Sequence, residues 1–387
     1  MKKKIFLVNN NMKIGGVQKA LLEFVNVINC DYDITLLLFR KTGQLLEQLP
    51  ENVKILETDS LYRYLGVFQG ECKTPKDKLL RGGLAAIAKT CGISRTLKIM
   101  SLGSGDCLKE HYDAAISFMH CAGAKSFYGG VAEYTLTNIQ ADQKICFIHC
   151  DYVNSGTVSN HSKKVYRQYD KIACVSASVR HRFLEVLPDL SEKTFVVPNV
   201  INIQNVQSDA RKDTYVYDHS YINILTVARL GKEKGINRII SAMSQIDSPR
   251  IRYYILGNGA QRPLLEQQVM QSGLEKQVFF LGEDVNPYRY MPDADLLAVP
   301  SYNEAAPVVF QEAMALGLPV MSTETLSAIE MIPEEFGFVV ENTDEAIRKK
   351  IADFSEHPEQ IDEKKKILRS CTYQNKDVKA ALNDLLM

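Results

Sequence analysis

Apolar residues along this chain come in short unbroken runs, separated by longer stretches where they recur every three or four positions. Lys4–Val8 reads as a buried strand, and Val17–Ile28 carries the helical spacing that follows it. Runs of the same kind lie at Ile34–Phe39, Val53–Leu56, Ala114–Phe118, Ile145–Ile148, Ile172–Val175 and Phe195–Val197, with helical stretches between most of them. The second half continues with Ile222–Val227, Tyr253–Leu256, Val278–Gly282 and Leu296–Val299, and a further strand begins at Val320–Met321. Strands apolar throughout, alternating with helices, predict doubly wound α/β architecture.

A mostly polar stretch, Gln204–Asp209, follows Ile203 and reads as a linker. It divides the chain into 1–205 and 206–370. Residues 371–387 form a last helix, with Val378, Ala381, Leu382, Leu385 and Leu386 at helical spacing. The length, 387 residues, suits two such domains. Composition adds exclusions. Lys+Arg and Asp+Glu both number 46, so no overall field favours nucleic acid. The apolar N-terminal run is too short for a secretory leader, and nothing approaches a membrane span. Nine scattered cysteines without a Cys-x-x-Cys pair fit reduced thiols in a cytoplasmic protein.

One segment departs from this even background. Between Lys73 and Met100, Lys73, Lys76, Lys78, Arg81, Lys89, Arg95 and Lys98 face a single acid, Asp77, with Leu79, Leu80, Leu84, Ile87 and Ala88 interleaved. It reads either as a solvated basic helix face or as an amphipathic patch for anionic lipid on the inner face of the plasma membrane.

The candidate chemistry centres on Ala298–Thr323. Here a buried strand runs through a turn, Pro300-Ser301-Tyr302-Asn303, into a helix that Gly317 and Pro319 end. Pro307 suits a first helical position, where its missing N–H costs nothing. The amides of Ala306–Val309 then open the helix without intrahelical partners and can meet an anion or a sugar hydroxyl. Glu304 precedes that end and Glu312 lies inside the helix. Elsewhere, Arg229 and Lys234 follow a strand and could clamp a diphosphate. Gly15-Gly16 sits between the first strand and helix, Gly257-Asn258-Gly259 ends a strand, and His149 ends another in Phe147-Ile148-His149-Cys150-Asp151. Alternation sends Cys146 and Cys150 to one strand face and His149 to the other, which argues against a shared metal. Asp293-Ala294-Asp295 directly opens the strand Leu296–Val299 and reads as a helix end and strand start rather than a metal motif.

These motifs together resemble the family 4 glycosyltransferases: Glu304-x7-Glu312 with its flanking Pro300-Ser301 and Glu312-Ala313-Met314-Ala315-x-Gly317-x-Pro319-Val320, and Ala228-Arg229-Leu230-x3-Lys234-Gly235. The resemblance implies the GT-B fold, two Rossmann-like domains facing a central cleft, with the last helix of 371–387 crossing back onto the N-terminal domain. It implies a retaining enzyme that moves a hexose or N-acetylhexosamine from a nucleotide-diphosphate sugar, with UDP the expected nucleotide. The acceptor would be a glycan or a polyprenyl-linked saccharide in surface polysaccharide synthesis, and no metal or other cofactor is required. By resemblance Arg229 and Lys234 bind the diphosphate, Glu304 the sugar near its anomeric carbon, and Glu312 the ribose. His149 touches the donor sugar, Gly15 and Gly16 lie near donor and acceptor, Gly257 belongs to the Gly-x-Gly turn, and Asn286 to the loop against the base. His120 is a candidate on the acceptor side. Val200 and Asn202 depart from the family's Pro-Asn-Gly-x-Asp element, and Gln18 stands where an acidic residue is common. Three other readings compete: a nucleotide-sugar epimerase on the same fold, a non-catalytic sugar-nucleotide-binding protein, and an NAD-dependent enzyme, which Arg262 in place of a third glycine after Gly257-x-Gly259 disfavours.

Overall fold

The computed structural model describes residues 2–102, 110–246, 248–371, 373–374 and 378–386. It divides into two compact units, Met1–Val200 with Asp377–Met387, and Ile201–Lys376.

The first unit is built on seven parallel strands: β1 (Lys4–Asn9), β2 (Asp33–Leu38), β3 (Lys54–Glu57), β4 (His111–Ser117), β5 (Gln140–Ile148), β6 (Lys171–Cys174) and β7 (Thr194–Val196). Their order is β3-β2-β1-β4-β5-β6-β7. The second holds six: β8 (Ile222–Val227), β9 (Ile251–Leu256), β10 (Val278–Gly282), β11 (Leu296–Val299), β12 (Val320–Thr323) and β13 (Gly337–Val340), in the order β10-β9-β8-β11-β12-β13. Both sheets start at a central strand, run out to one edge, then return to build the other side. Each therefore has a switch point, between β1 and β4 and between β8 and β11, where loops at the carboxyl ends diverge and leave room for a ligand.

Strand alternation explains why both faces are covered. On one face of the second sheet Ile222, Ile224, Tyr253 and Ile255 pack with Ile236, Ile239 and Ile240 and with Ile347, Ile351 and Phe354. On the other, Leu225, Tyr254, Leu256, Leu297 and Val299 pack with Phe310, Ala313, Met314 and Leu368. Neighbouring residues of one strand thus enter different cores, as the period of two requires. Each large side chain so buried contributes about 1.5–3 kcal/mol. In the first unit Phe24, from helix Gly16–Ile28, meets Phe118 and Phe147 at ring distances of 5.2 and 5.4 Å.

Four expectations need correction. Gln204–Asp209 is not a linker: Ile203–Ala210 is a helix, capped by Asn202, whose Oδ1 accepts from the Asn205 amide at 2.9 Å. The division accordingly falls before it, at Val200–Ile201. Pro307 is not the first helical residue but the cap, with φ −65° and ψ 120°, and the helix is Val308–Ala315. β13 is a strand the apolar pattern did not mark, and Arg81 is no part of a solvated basic face. It is buried, donating to the carbonyl oxygens of Val67 and Phe127 at 2.8 and 3.3 Å. The last helix is Val378–Leu386 and belongs to the first unit; residues 372, 375–377 and 387 of the expected tail lie outside the described residues. Lys171 Nζ donates to the carbonyls of Asp384 and Leu385, both at 3.0 Å.

Candidate active site

In the second unit, the loops after β8 and β11 leave the two strands that flank the switch point. The β8 loop carries Arg229 and Lys234, and the β11 loop carries Glu304. The structure joins them. Lys234 Nζ lies 2.6 Å from Glu304 Oε1, and the same oxygen accepts from Ser301 Oγ at 2.8 Å. The lysine side chain is 24% exposed and the glutamate 12%, so this pair is shielded yet reachable. An ammonium has three donors, and the Glu304 bond uses one of them.

Arg229 is placed differently. Its guanidinium is 72% exposed and bonds Glu233 Oε1 at 2.6 Å, one turn along the same loop. The two cations expected to act together share a loop, but only Lys234 reaches Glu304.

Glycine makes this geometry possible. At Gly257 a Cβ would sit 1.9 Å from the Ala228 carbonyl oxygen, and φ there is +141°. At Gly259 it would sit 2.5 Å from the Leu230 oxygen. The end of β9 therefore lies directly against the β8 loop, stitched by Ala228 N to Leu256 O at 3.0 Å and Leu230 N to Asn258 O at 2.9 Å. Gly257 thus holds the end of β9 against the loop that carries Arg229 and Lys234.

Downstream of Glu304, the amides of Ala306–Val309 lead into helix Val308–Ala315. The Phe310 amide is taken by the Pro307 carbonyl at 3.3 Å, while Val308 and Val309 occupy the first turn, where N–H groups lack intrahelical partners. Glu312 is buried inside this helix and its Oε1 accepts from the Tyr288 hydroxyl at 2.9 Å. Tyr288 is a residue the sequence reading did not assign a role. Its only signal was membership of the Glu283–Tyr288 loop. Asn286 of that loop donates from Nδ2 to the Asp209 carbonyl at 2.8 Å, which pins the loop to helix Ile203–Ala210.

The first unit, taken by itself, holds Gly15, Gly16 and the two histidines. Gly15 precedes helix Gly16–Ile28 with φ 179°, ordinary extended backbone, and Gln18 Oε1 lies 2.6 Å from where its Cβ would be. A longer side chain at Gly15 would displace Gln18, whereas Gly16 faces open space. His149 lies at the end of β5, its ring 4.9 Å from Phe118 and 5.7 Å from Phe147 at an interplanar angle of 16°. Burial, and secondarily the neighbouring His120, pushes its pKa down to about 3. His120 is pushed down to about 4 by burial, against the opposing pull of Glu133. Both rings are thus neutral near pH 7, and His120 Nδ1 and His149 Nε2 are buried without a hydrogen-bond partner among the described residues. Asp151 is spent locally, accepting from the Val153 and Asn154 amides at 3.1 and 3.2 Å.

Among the described residues no group of three or more His, Cys, Asp or Glu side chains is arranged to hold a metal ion. Asp293 accepts from the Tyr217 amide at 3.1 Å, and Asp295 from the Asn223 amide at 2.8 Å and Lys365 at 3.1 Å. Both carboxylates of that Asp-x-Asp are bound into the scaffold. A hollow of about 200 Å³ in the first unit, bounded by Lys3, Tyr32, Asp113, Asp142 and Leu386, lies at the amino ends of its strands, far in topology from the site-bearing loops.

Comparison with known proteins adds the following. Residues 209–371 match the family model of group 1 glycosyl transferases. A Campylobacter jejuni relative is N-acetylgalactosamine-N,N'-diacetylbacillosaminyl-diphospho-undecaprenol 4-alpha-N-acetylgalactosaminyltransferase. It is 30% identical over 152 residues, 39% of this chain and 40% of its own length. The amylovoran biosynthesis glycosyltransferase AmsK of Erwinia amylovora is 26% identical over 239 residues, 58% of this chain and 56% of its own. The chain thus matches well under two thirds of these relatives' length. The crystal structure of Anabaena Alr3699/HepE in complex with UDP-glucose superposes with a TM-score of 0.69 at 19% identity, over 99% of this chain and 98% of that one. At that identity the likeness is one of fold, and the fold is GT-B.

Proposed function

We propose that this protein is a retaining glycosyltransferase that moves a hexose or N-acetylhexosamine from a UDP-sugar to a glycan or polyprenyl-linked acceptor in surface polysaccharide synthesis. The observation that carries this reading is the Lys234–Glu304 pair, which joins two loops at the switch point just ahead of a helix amino terminus. The named activities of the Campylobacter and Erwinia relatives support the reaction class and the kind of acceptor.

In this reading Lys234 and the amides at Ala306–Val309 hold the diphosphate, and Arg229 joins them by exchanging Glu233 for phosphate. Glu304 contacts sugar hydroxyls near the anomeric carbon and Glu312 the ribose. The anomeric carbon–phosphate oxygen bond breaks with its electrons passing to the diphosphate. The acceptor oxygen bonds the same face of the sugar, and its proton passes to the departing phosphate. Lys234 stabilises the charge developing on that phosphate. His149, neutral, offers a hydrogen bond to the donor sugar. No metal is required, so chelation should leave turnover unchanged.

The first unit supplies the acceptor side and a membrane contact. Leu79 is 78% exposed on helix Pro75–Cys91, near exposed Leu80 and flanked in sequence by the exposed Lys76 and Lys78. Exposed leucines beside exposed lysines suit an anionic bilayer at its cytoplasmic face. No helix among the described residues is long and apolar enough to cross a membrane.

The decisive experiment is a thermal-shift panel of UDP-, GDP- and other nucleotide sugars, followed by turnover with the stabilising donor. Glu304→Gln should lower kcat about 100-fold while its melting curve stays near the wild type's. Unchanged turnover in that variant would remove the site assignment.

A further inference from the structure

Arg238 stands in helix Ile236–Ser244, directly after the Lys234 loop, with a side chain only 1% exposed. Burying a cation is costly unless it is paired and hydrogen-bonded. Its carboxylate partner, Asp344, is 71% exposed, so the ion pair by itself is poor compensation. Packing gives no reason for an arginine either, since the adjoining Ile239 and Ile240 fill the same core with aliphatic side chains. The reason lies in what the guanidinium grips.

Nη1 donates to the Pro300 carbonyl at 3.1 Å and to Asn342 Oδ1 at 2.7 Å. Nε donates to Asp344 Oδ1 at 2.6 Å, and the guanidinium carbon lies 4.5 Å from the Tyr302 ring centroid. Asn342 in turn donates to the Tyr302 carbonyl at 3.1 Å. The Tyr302 amide donates to the Glu233 carbonyl at 2.9 Å, and Thr323 Oγ1 to the Ser301 carbonyl at 2.6 Å. Gly235 completes the seat, because a Cβ there would stand 2.2 Å from the Pro300 oxygen. Every residue of Pro300–Tyr302 is fastened, and Glu304 follows two positions on.

We propose that Arg238 is a positioning residue for Glu304. From the helix whose lead-in carries Lys234, it holds the β11 loop so that the glutamate meets that lysine. The planar fork does what a lysine or an apolar side chain does not: it serves the Pro300 carbonyl on one segment and an amide oxygen and a carboxylate, Asn342 and Asp344, on a second at once. The inference rests on the active-site reading above.

The test uses the full chain with Arg238→Met, Arg238→Lys and, as a milder variant that leaves the guanidinium in place, Asn342→Ala. Two quantities are read: hydrogen exchange at amides 301–305, and steady-state kinetics with whichever nucleotide sugar of the thermal-shift panel most stabilises the wild-type chain. Arg238→Met should speed exchange in that segment at least tenfold and lower kcat at least thirtyfold, with donor KM within about threefold. Arg238→Lys should recover part of both. Asn342→Ala should move both in the same direction by less, and it decides the question if Arg238→Met does not fold. Faster exchange with wild-type kcat would make Arg238 a structural clamp only and overturn the proposal, as would unchanged exchange. A wild-type chain that binds no nucleotide sugar would sink the active-site reading and this inference with it. Wild-type turnover alongside indifferent variants would sink the inference alone.

Discussion

The depressed histidines of the first unit give a quantitative expectation for stability in acid. In the unfolded chain both imidazoles titrate near 6.5. In the folded unit His149 titrates at about 3 and His120 at about 4. A histidine whose folded pKa is lowered binds fewer protons in the folded state than in the unfolded one. Stability therefore falls as pH drops below the unfolded value, until the folded value is passed. For His149 at pH 5 the linkage integral is about 2 kcal/mol, a little under half of what the whole shift reaches below the folded pKa, and His120 contributes about the same at that pH. Both residues are half-buried rather than sealed from water, so these are upper values. The perturbation is His149→Phe, which keeps an aromatic ring beside Phe118 and Phe147 and removes the titration. The assay is urea unfolding followed by circular dichroism at pH 7, 6 and 5, since the chain has no tryptophan to serve as a fluorescent reporter. Carboxylates common to both proteins cancel in the difference. Between pH 7 and 5 the variant should lose about 2 kcal/mol less than the wild type. Equal losses would show that burial does not hold the imidazole neutral, and the reading of His149 as an uncharged hydrogen-bonding group would go with it.

Three further substitutions probe the scaffold around the site residues. Gly257→Ala places a methyl against the Ala228 carbonyl at a backbone angle alanine avoids, and should destabilise the protein by about 3 kcal/mol or more by thermal melting. Gly16→Ala, facing open space at the start of a helix, should stay within about 1 kcal/mol in the same assay. Tyr288→Phe removes the hydroxyl that Glu312 accepts, and should raise donor KM about tenfold by losing a bond to a buried charged group worth about 1.5–3 kcal/mol, with kcat changed far less.

Much of this molecule could be read from its residues because a parallel sheet buried on both faces writes itself as apolar runs. β8, β10 and β11 coincide with the runs marked for Ile222–Val227, Val278–Gly282 and Leu296–Val299. β5 begins earlier than its apolar core because Gln140–Lys144 pairs with β4 although four of its five residues are polar, a pattern the run did not reveal. The helix at Ile203–Ala210 was hidden by its polarity: Val206 and Ala210 alone are buried, and the Asn202 cap is a single-residue signal. Within the site, Glu304 and Lys234 could be named from spacing, but their contact is a long-range event that spacing does not encode. The Arg229–Glu233 bond was open to inference, since positions four apart on a turn are neighbours. Arg238 was legible only as one more cation, and its burial depends on where Pro300 and Asn342 fold. No repeat relates the halves in sequence, yet the first six strands of one sheet and all six of the other follow one order, because strand order is set by apolar patterning that many sequences satisfy.

The contact between Gly257, Gly259 and the Ala228–Leu230 backbone bears on how such a protein can be altered. Two lengths of main chain lie so near one another that nothing larger than hydrogen fits at either point. Anyone diversifying this scaffold toward a new sugar would find that stretch closed to variation. Libraries drawn instead over Glu283–Tyr288, whose hold on its surroundings runs through side chains, leave the underlying frame alone.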